Sequence, residues 1–503
     1  MGKLLKMLAL TTICFSVSGF ADPRPQSPEP MSGRTPLEFL RHNDIQMGWN
    51  LGNTLDAVNN ARTLAEERAW GNPLTTQQTL DGVRASGFDM IRIPCTWIGH
   101  IGAGPNFTLS QARLQRVAEI VEMAKTAGFK AIIINIHHDG NYTSPPNTWG
   151  FLDFATAVTN NTRKMEIQNQ LARVWTQIAE YFRNYGDYLI FETLNEIHQG
   201  NWGFGDRNSA AFQHQEQVLF DWNQAALNAI RATGGNNATR FVAVPGLGST
   251  EPETVLAAHA RGRLLPNDGT NGTSRLMVSV HYYHPAQYTV AEAENHGWPL
   301  IHTWGSASER AHAAREMGNL KTTFLDRGIA VYVGEWGAPT HQRSSMSQQI
   351  RDTHVDYIRT VAAAILANGV LPVYWDDGGN FRLLERSNGR APAGFKTDVL
   401  NAMLEGVTGN PTAIQTNRPA KSINAANATI TNRQINLSLP TTANNANIAL
   451  FDIRGRQIFE QNVAINGGLA NIALPRSIAK NQTAILQVKT NSGFNMSKKV
   501  LVK

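Results

Sequence analysis

Two glutamates follow apolar, β-branched or aromatic runs, in Phe191-Glu192-Thr193-Leu194-Asn195-Glu196 and Tyr332-Val333-Gly334-Glu335-Trp336-Gly337. Runs of this kind read as strands, and an acid at the end of one presents its carboxyl group at the strand mouth. Two such acids from separate strands of one barrel, Glu196 and Glu335, can face each other across a bond. Paired carboxylates are what glycosidic cleavage requires: one protonates the leaving oxygen while the other attacks the sugar carbon or activates water.

The neighbouring residues extend the same chemistry. Alternation puts Glu192, Leu194 and Glu196 on one strand face, with Glu192 deeper inside. A buried acid needs a partner, and Arg92 in Met90-Ile91-Arg92-Ile93-Pro94 is the cation expected there. Arg92 is either a structural ion pair for Glu192 or, in addition, the charge that keeps Glu335 ionised. The Asn195 amide is placed to hydrogen-bond a sugar 2-hydroxyl. His137-His138-Asp139 ends a third run and His281-Tyr282-Tyr283-His284 a sixth. These imidazoles and phenols would bind hydroxyls and hold the two carboxyls in different protonation states. A satisfied core histidine is the bland alternative for each, most of all His284.

Metal chemistry is the competing reading, since several histidines and an aspartate at strand mouths could activate water on zinc. Against it, adjacent His137 and His138 start on opposite faces and no His-x-His pair is present. The expectation is therefore no metal and no cofactor. Trp49, Trp97, Trp149, Trp202, Trp336 and Trp375 cluster near the same mouths. Indole faces suit the axial C–H groups of pyranose rings, although singly each tryptophan is more often packing. Trp375 is favoured for the subsite at the cleaved bond, with Trp49 and Trp97 as further substrate-binding candidates.

Such side chains need a frame, and residues 37–408 supply one. Eight short apolar runs have strand character: Ile45–Leu51, Met90–Pro94, Ala131–Ile136, Tyr188–Leu194, Phe241–Val244, Leu276–Val280, Ala330–Val333 and Val370–Tyr374. Helix-like stretches such as Arg113–Ala127 and Asn169–Asn184 lie between them. Eight alternations predict an α/β fold, a (β/α)₈ TIM barrel whose chemistry gathers at the C-terminal strand ends.

The ends of the chain read differently. Lys3 and Lys6, the apolar Met7–Val17 and Gly19-Phe20-Ala21 form a secretory signal over residues 1–21. That apolar stretch is too short to span a bilayer, which takes roughly 20 residues. Removing the signal removes Cys14 and leaves Cys95 without an internal disulfide partner. Residues 22–36 are Pro-rich and read as an extended tether. Residues 409–424 read as a linker. Residues 425–503 alternate apolar with Asn- and Thr-rich positions over Gln434–Leu439, Ile448–Phe459, Ala470–Leu474, Ile485–Lys489 and Lys498–Lys503, a small all-β sandwich.

Charge follows the same division. The 503 residues carry a net charge of +6, yet residues 409–503 hold 11 Lys or Arg against 2 Asp or Glu, a balance of +9. The remainder is thus near −3. With no helical basic stripe and no interleaved aromatics, the tail argues against a nucleic-acid partner.

Taken together, Gly48-Trp49-Asn50-Leu51-Gly52-Asn53-Thr54-Leu55-Asp56, Ile134-Asn135-Ile136-His137-His138-Asp139, Leu194-Asn195-Glu196, His281-Tyr282-Tyr283 and Gly334-Glu335-Trp336-Gly337 resemble landmarks of glycoside hydrolase family 5, the cellulase A type. The resemblance covers roughly residues 37–408. It implies Glu196 as acid/base, Glu335 as nucleophile, and supporting roles for Arg92, His137, His138, Asn195, His281, Tyr283 and Trp375. The His137-His138 pair and the His281-x-Tyr283 spacing look most like subfamily 4, which implies a secreted, monomeric endo-β-1,4-glucanase acting with retention on a β-glucan. Xyloglucan, mixed-linkage glucan and mannan are alternative substrates on that scaffold. A metal-dependent TIM-barrel hydrolase and a non-catalytic glycan-binding barrel are the readings from other classes. Ile197 departs from the family's Pro after the Asn-Glu pair, which puts the shape of the following loop in question. The tail, through Leu450–Arg456 and Lys498–Lys503, is similar to C-terminal sorting domains of secreted Gram-negative proteins. That implies secretion machinery or the cell surface as a partner. The rival, a carbohydrate-binding module, lacks support because the tail contains neither Trp nor Tyr.

Overall fold

The computed structural model describes residues 22–140, 150–290, 301–408 and, between 427 and 502, seven strands with adjoining residues. They form two compact units, one within residues 1–414 and one within 415–503. The expected signal 1–21, the linker 409–424 and Trp149 lie outside the described residues.

The first unit contains a closed barrel of eight parallel strands in chain order: β1 Gly48–Asn50, β2 Met90–Ile93, β3 Ala131–Asn135, β4 Leu189–Glu192, β5 Val242–Pro245, β6 Leu276–Tyr282, β7 Ala330–Trp336 and β8 Leu371–Tyr374. Every residue of these strands is buried. Side chains fill the inside and helices cover the outside, so such strands are apolar on both faces. Each expected run overlaps one strand. β1 is shorter than its run, while β6 and β7 continue to Tyr282 and Trp336. The expected helices appear as Gln111–Ala127 and Asn161–Tyr181. The first begins where the Ser110 hydroxyl accepts from the Arg113 N–H and ends at Gly128, whose φ of 90° only glycine adopts without cost.

Two irregularities aim the site. The register between β6 and β7 shifts at Val280/His281, and that between β7 and β8 shifts between Val333 and Trp336. Bulges of this kind redirect side chains, and these two carry His281 and Glu335. Gly334 is required beside them. A Cβ there would come within 3.0 Å of Tyr332 Cε2 and 3.1 Å of Ser279 Oγ.

The Pro-rich segment is strapped down rather than free. Glu29 accepts hydrogen bonds from Tyr188 Oη at 2.7 Å and the Gly186 N–H at 2.9 Å, and it pairs with Lys125. The Ser32 N–H donates to Asp187 at 2.8 Å, and the Arg24 guanidinium lies 3.8 Å above the Tyr181 ring. A chain without ladder bonds of its own is held here by side-chain anchors.

The second unit is all antiparallel: β9 Asn427–Thr431, β10 Gln434–Ser438, β11 Asn445–Asp452, β12 Gln457–Ala464, β13 Leu469–Ala473, β14 Thr483–Thr490 and β15 Asn495–Leu501. One sheet has the order β13-β10-β9 and the other β12-β11-β14-β15. Both contribute to one aliphatic core that includes Ile435, Leu437, Ile448, Leu450, Leu486 and Val488. The run expected over Ile448–Phe459 is two strands, β11 and β12, with Leu450 opposite Phe459. Strand β9 was not anticipated, because Asn-Ala-Thr-Ile-Thr offers one large apolar residue beside a polar linker.

Candidate active site

Six strands send polar side chains to a common point inside the barrel mouth. Arg92 of β2 is wholly buried. Its Nε donates to Glu192 Oε2 at 2.8 Å. One terminal nitrogen donates to Glu335 Oε1 at 2.8 Å and to Asn50 Oδ1 at 3.1 Å, and the other to Asn195 Oδ1 at 2.6 Å. Arg92 therefore pairs with Glu192 and Glu335 at once. With no exposed surface and these donors spent on protein acceptors, it is a positioning residue and a correction to any expectation that it binds substrate.

Glu192 is the anchor of this network. Its Oε2 also accepts from Asn135 Nδ2 at 2.7 Å, and its Oε1 from Ser279 Oγ at 2.6 Å and Tyr332 Oη at 2.8 Å. Burial alone would raise its pKa, but Arg92 and these donors outweigh it and hold the carboxyl below the ordinary value. Arg92 in turn stays charged against burial because two carboxylates face it.

The two expected catalytic acids lie above this layer. Glu335 sits inside β7, near its C-terminal end, whereas Glu196 lies four residues beyond β4. An oxygen of each and a His281 ring nitrogen all fall within 4.8 Å of one another. His281 Nδ1 is 2.7 Å from Glu196 Oε1 and 3.7 Å from Glu335 Oε2. Tyr283 Oη donates to Glu335 Oε2 at 3.3 Å. Their electrostatics differ. Burial, with Arg92 opposing and Glu192 adding to it, pushes Glu196 up to about 7. Burial also raises Glu335, but His281 and the directly bonded Arg92 counter it. Burial pulls His281 down to about 4, so its imidazole is neutral at ordinary pH.

The remaining candidates divide. His137 Nε2 is 3.9 Å from Glu335 Oε1, and the Trp375 indole stacks parallel to the His137 ring at 5.9 Å. Trp375 is half-buried and directly follows β8, at its C-terminal end. His138 Nε2 is 3.8 Å from Asp56 Oδ2. The two histidine rings were expected on opposite faces but meet edge to edge at 4.3 Å. They follow the end of β3, where strand alternation no longer applies.

Trp49 and Trp97 are corrections. Both are fully buried. Trp49 Nε1 donates to Asp376 at 3.2 Å beneath the Arg386 guanidinium, and Trp97 Nε1 donates to the Asn135 carbonyl at 3.2 Å. They are packing, as is buried Trp336. Trp202 and Phe204, on the loop after Glu196, keep 45% and 46% of their surface exposed. Ile197 is buried, and its carbonyl accepts the Gly248 N–H at 2.8 Å, which ties the loop to the β5 exit.

Asn50, Asn135, Ser279 and Tyr332 escaped the sequence reading. Asn50 bonds Arg92 and donates to the Gly334 carbonyl at 2.8 Å. The available signal was a polar residue inside an otherwise apolar run.

Comparison with known proteins agrees with this geometry. The profile for cellulase (glycosyl hydrolase family 5) matches residues 52–380. Endoglucanase B of Clostridium cellulovorans is 34% identical over 335 residues, covering 67% of either chain. The solved GH5-4 broad specificity endoglucanase from Bacteroides salanitronis is 36% identical, with a TM-score of 0.65, over 76% of this chain and 97% of that one. The GH5-4 broad specificity endoglucanase from Ruminococcus champanellensis, solved with bound cellotriose, is 26% identical, with a TM-score of 0.62, over 75% and 100%.

Proposed function

Because this chain belongs to glycosyl hydrolase family 5, we propose that it is an endo-β-1,4-glucanase that cleaves internal bonds by retaining double displacement. The observation that carries the mechanism is the short spacing of Glu196 and Glu335, with an oxygen of each inside 4.8 Å. Retaining pairs stand about 5–5.5 Å apart and inverting pairs about 6.5–9.5 Å. Glu335, held by Arg92 and Tyr283, attacks the anomeric carbon. Glu196, the acid of raised pKa, gives its proton to the departing oxygen. Glu196 then takes a proton from water, and that water displaces Glu335 from the sugar. Asn195, with its oxygen committed to Arg92, keeps its amide N–H groups for the sugar 2-hydroxyl. Trp375 is the stacking face at the cleaved bond. Trp202 and Phe204 offer further aromatic surface along the glucan.

Reducing-end release on carboxymethylcellulose, xyloglucan, mixed-linkage glucan and mannan, compared with Glu335→Gln, tests this reading. Strong β-glucan activity lost in the variant is expected, with the β-anomer appearing first by NMR. First release of the α-anomer would overturn retention, and mannan as the sole substrate would overturn the glucan assignment. Residues 1–21 and the basic sheets together support secretion, with the C-terminal unit serving sorting or surface attachment. A secreted chain beginning at Asp22 by mass spectrometry is the expected sign. A cell-retained chain that still carries residues 1–21 would refute it.

A further inference from the structure

Beside the catalytic mouth, a cavity of about 180 Å³ is lined by Glu251, Glu253, Tyr282, His284, His312 and Glu316, and it shares Tyr283 with the catalytic site. None of these six takes part in the proposed glycosidic chemistry. His312 and Glu316 are one turn apart on the helix Ala307–Thr323 and so share a face. Glu253 stands in the first turn of the helix Pro252–Ala260. A donor atom from each of Glu253, His312 and Glu316 lies within 4.8 Å of the others. His284 stacks on His312 with ring centroids 3.6 Å apart.

A second observation points to a ligand. Glu316 is 2% exposed, yet its Oε2 has no hydrogen-bond partner. A buried carboxylate oxygen left unpaired costs free energy that a cation would recover. The nearby arginines take other oxygens. Arg315 donates to Glu316 Oε1 at 3.1 Å, and Arg207 reaches Glu253 Oε2 at 2.8 Å. Arg207 also stands 3.9 Å from Glu251. Tyr282 Oη and His312 Nδ1 are 3.1 Å apart. When Nδ1 donates that hydrogen bond, Nε2 carries the free lone pair, the arrangement usual for a metal-bound histidine.

We propose that Glu253, His312 and Glu316 form a structural site for a divalent transition metal, zinc foremost. One imidazole and two carboxylates make a mixed nitrogen–oxygen set that suits zinc better than calcium, which takes oxygen ligands. Tetrahedral zinc with bonds near 2.0–2.1 Å sets its ligands roughly 3.3 Å apart, and the exposed Glu253 side chain has room to close the difference. A metal here would join the helix after β5 to the helix before β7. It would also brace the β6 exit, whose Tyr283 holds Glu335.

The test is calorimetric titration of Zn²⁺ into the chelator-treated full-length protein, with thermal melts alongside. One equivalent should bind per chain and raise Tm, and Ca²⁺ should do neither. Glu316→Gln and His312→Gln should each weaken Zn²⁺ binding at least tenfold while glucan hydrolysis without metal is unchanged. Glu253→Gln, whose side chain is exposed, covers the case in which a buried variant fails to fold. The Glu196, His281 and Glu335 atoms form a rival zinc set. Binding lost in Glu335→Gln but kept in Glu253→Gln and Glu316→Gln would overturn the proposal, as would the absence of saturable binding to the wild type.

Discussion

Inside the barrel mouth, β1, β2, β3, β4, β6 and β7 each contribute a buried polar side chain to one hydrogen-bonded network around Arg92. Among the described residues, the buried core of the C-terminal unit is by contrast aliphatic, with Phe459 packed against it. The difference is one of purpose. Taking an ion pair out of water costs several kcal/mol per ion before the pairing returns it, and apolar residues would hold a fold at least as well. The barrel keeps charges where geometry must be fixed to fractions of an ångström. The sheets need only stability, and their core carries no such constraint.

The sharpest way to break this comparison is at the proton donor. Glu196→Gln should lower kcat on unactivated glucan by about 10²–10⁴-fold, the usual worth of general acid–base catalysis. The wild-type kcat/KM should fall above an apparent pKa near 7, because Glu196 must be protonated and burial holds it at about 7. The acid limb should report Glu335, which must be ionised to attack. A pH–rate profile with no alkaline limb, or one unchanged in Glu196→Gln, would count against the assignment. Stability carries the same signature with opposite signs. Glu196 is raised above its ordinary 4.5, so its contribution is full below that pH and is lost as pH rises through about 7. Glu192 is held below 4.5, so its contribution is present above that pH and is lost as pH falls through the lowered value.

Next in size is the centre of the network. Arg92→Met leaves Glu192 and Glu335 without their cation, and removing one partner of a buried pair costs about 3–5 kcal/mol. Urea unfolding should record a loss of that order and activity should collapse. A variant of wild-type stability would mean that Arg92 is incidental to the fold.

These two groups also mark what was legible beforehand. Glu196 and Glu335 stood out because a carboxylate after an apolar run is costly unless it is used. The barrel was readable because strands buried on both faces leave continuous apolar runs. The roles of Asn50, Asn135, Ser279 and Tyr332 were not readable. Each depends on which strands lie across the barrel, and the irregularities between β6 and β7 and between β7 and β8 shift the register. Trp49 and Trp97 were misread for the same reason: residue type says that an indole is present, not which way it points.

That misreading becomes a third test. Trp375→Ala should raise KM about tenfold, an aromatic contact worth about 1.4 kcal/mol, with little change in stability. Trp49→Ala, which empties a fully buried site, should instead cost about 3–5 kcal/mol of stability. Equal KM effects from the two would return Trp49 to the cleft.

The smallest effect is expected where the comparison began. Every group in the proposed chemistry lies between Asn50 and Trp375, within the first compact unit, which has its own continuous core. The second unit has a separate core and contains neither Trp nor Tyr to stack on a sugar. Ending the chain at residue 414 should therefore change kcat/KM on a soluble glucan by no more than about twofold, as for domains that fold independently. The consequence should appear in where the protein is found, read as the fraction of activity in medium, at the cell surface and inside the cell. A large fall in hydrolysis of insoluble glucan, with soluble activity intact, would assign the sheets to the substrate instead of to the cell.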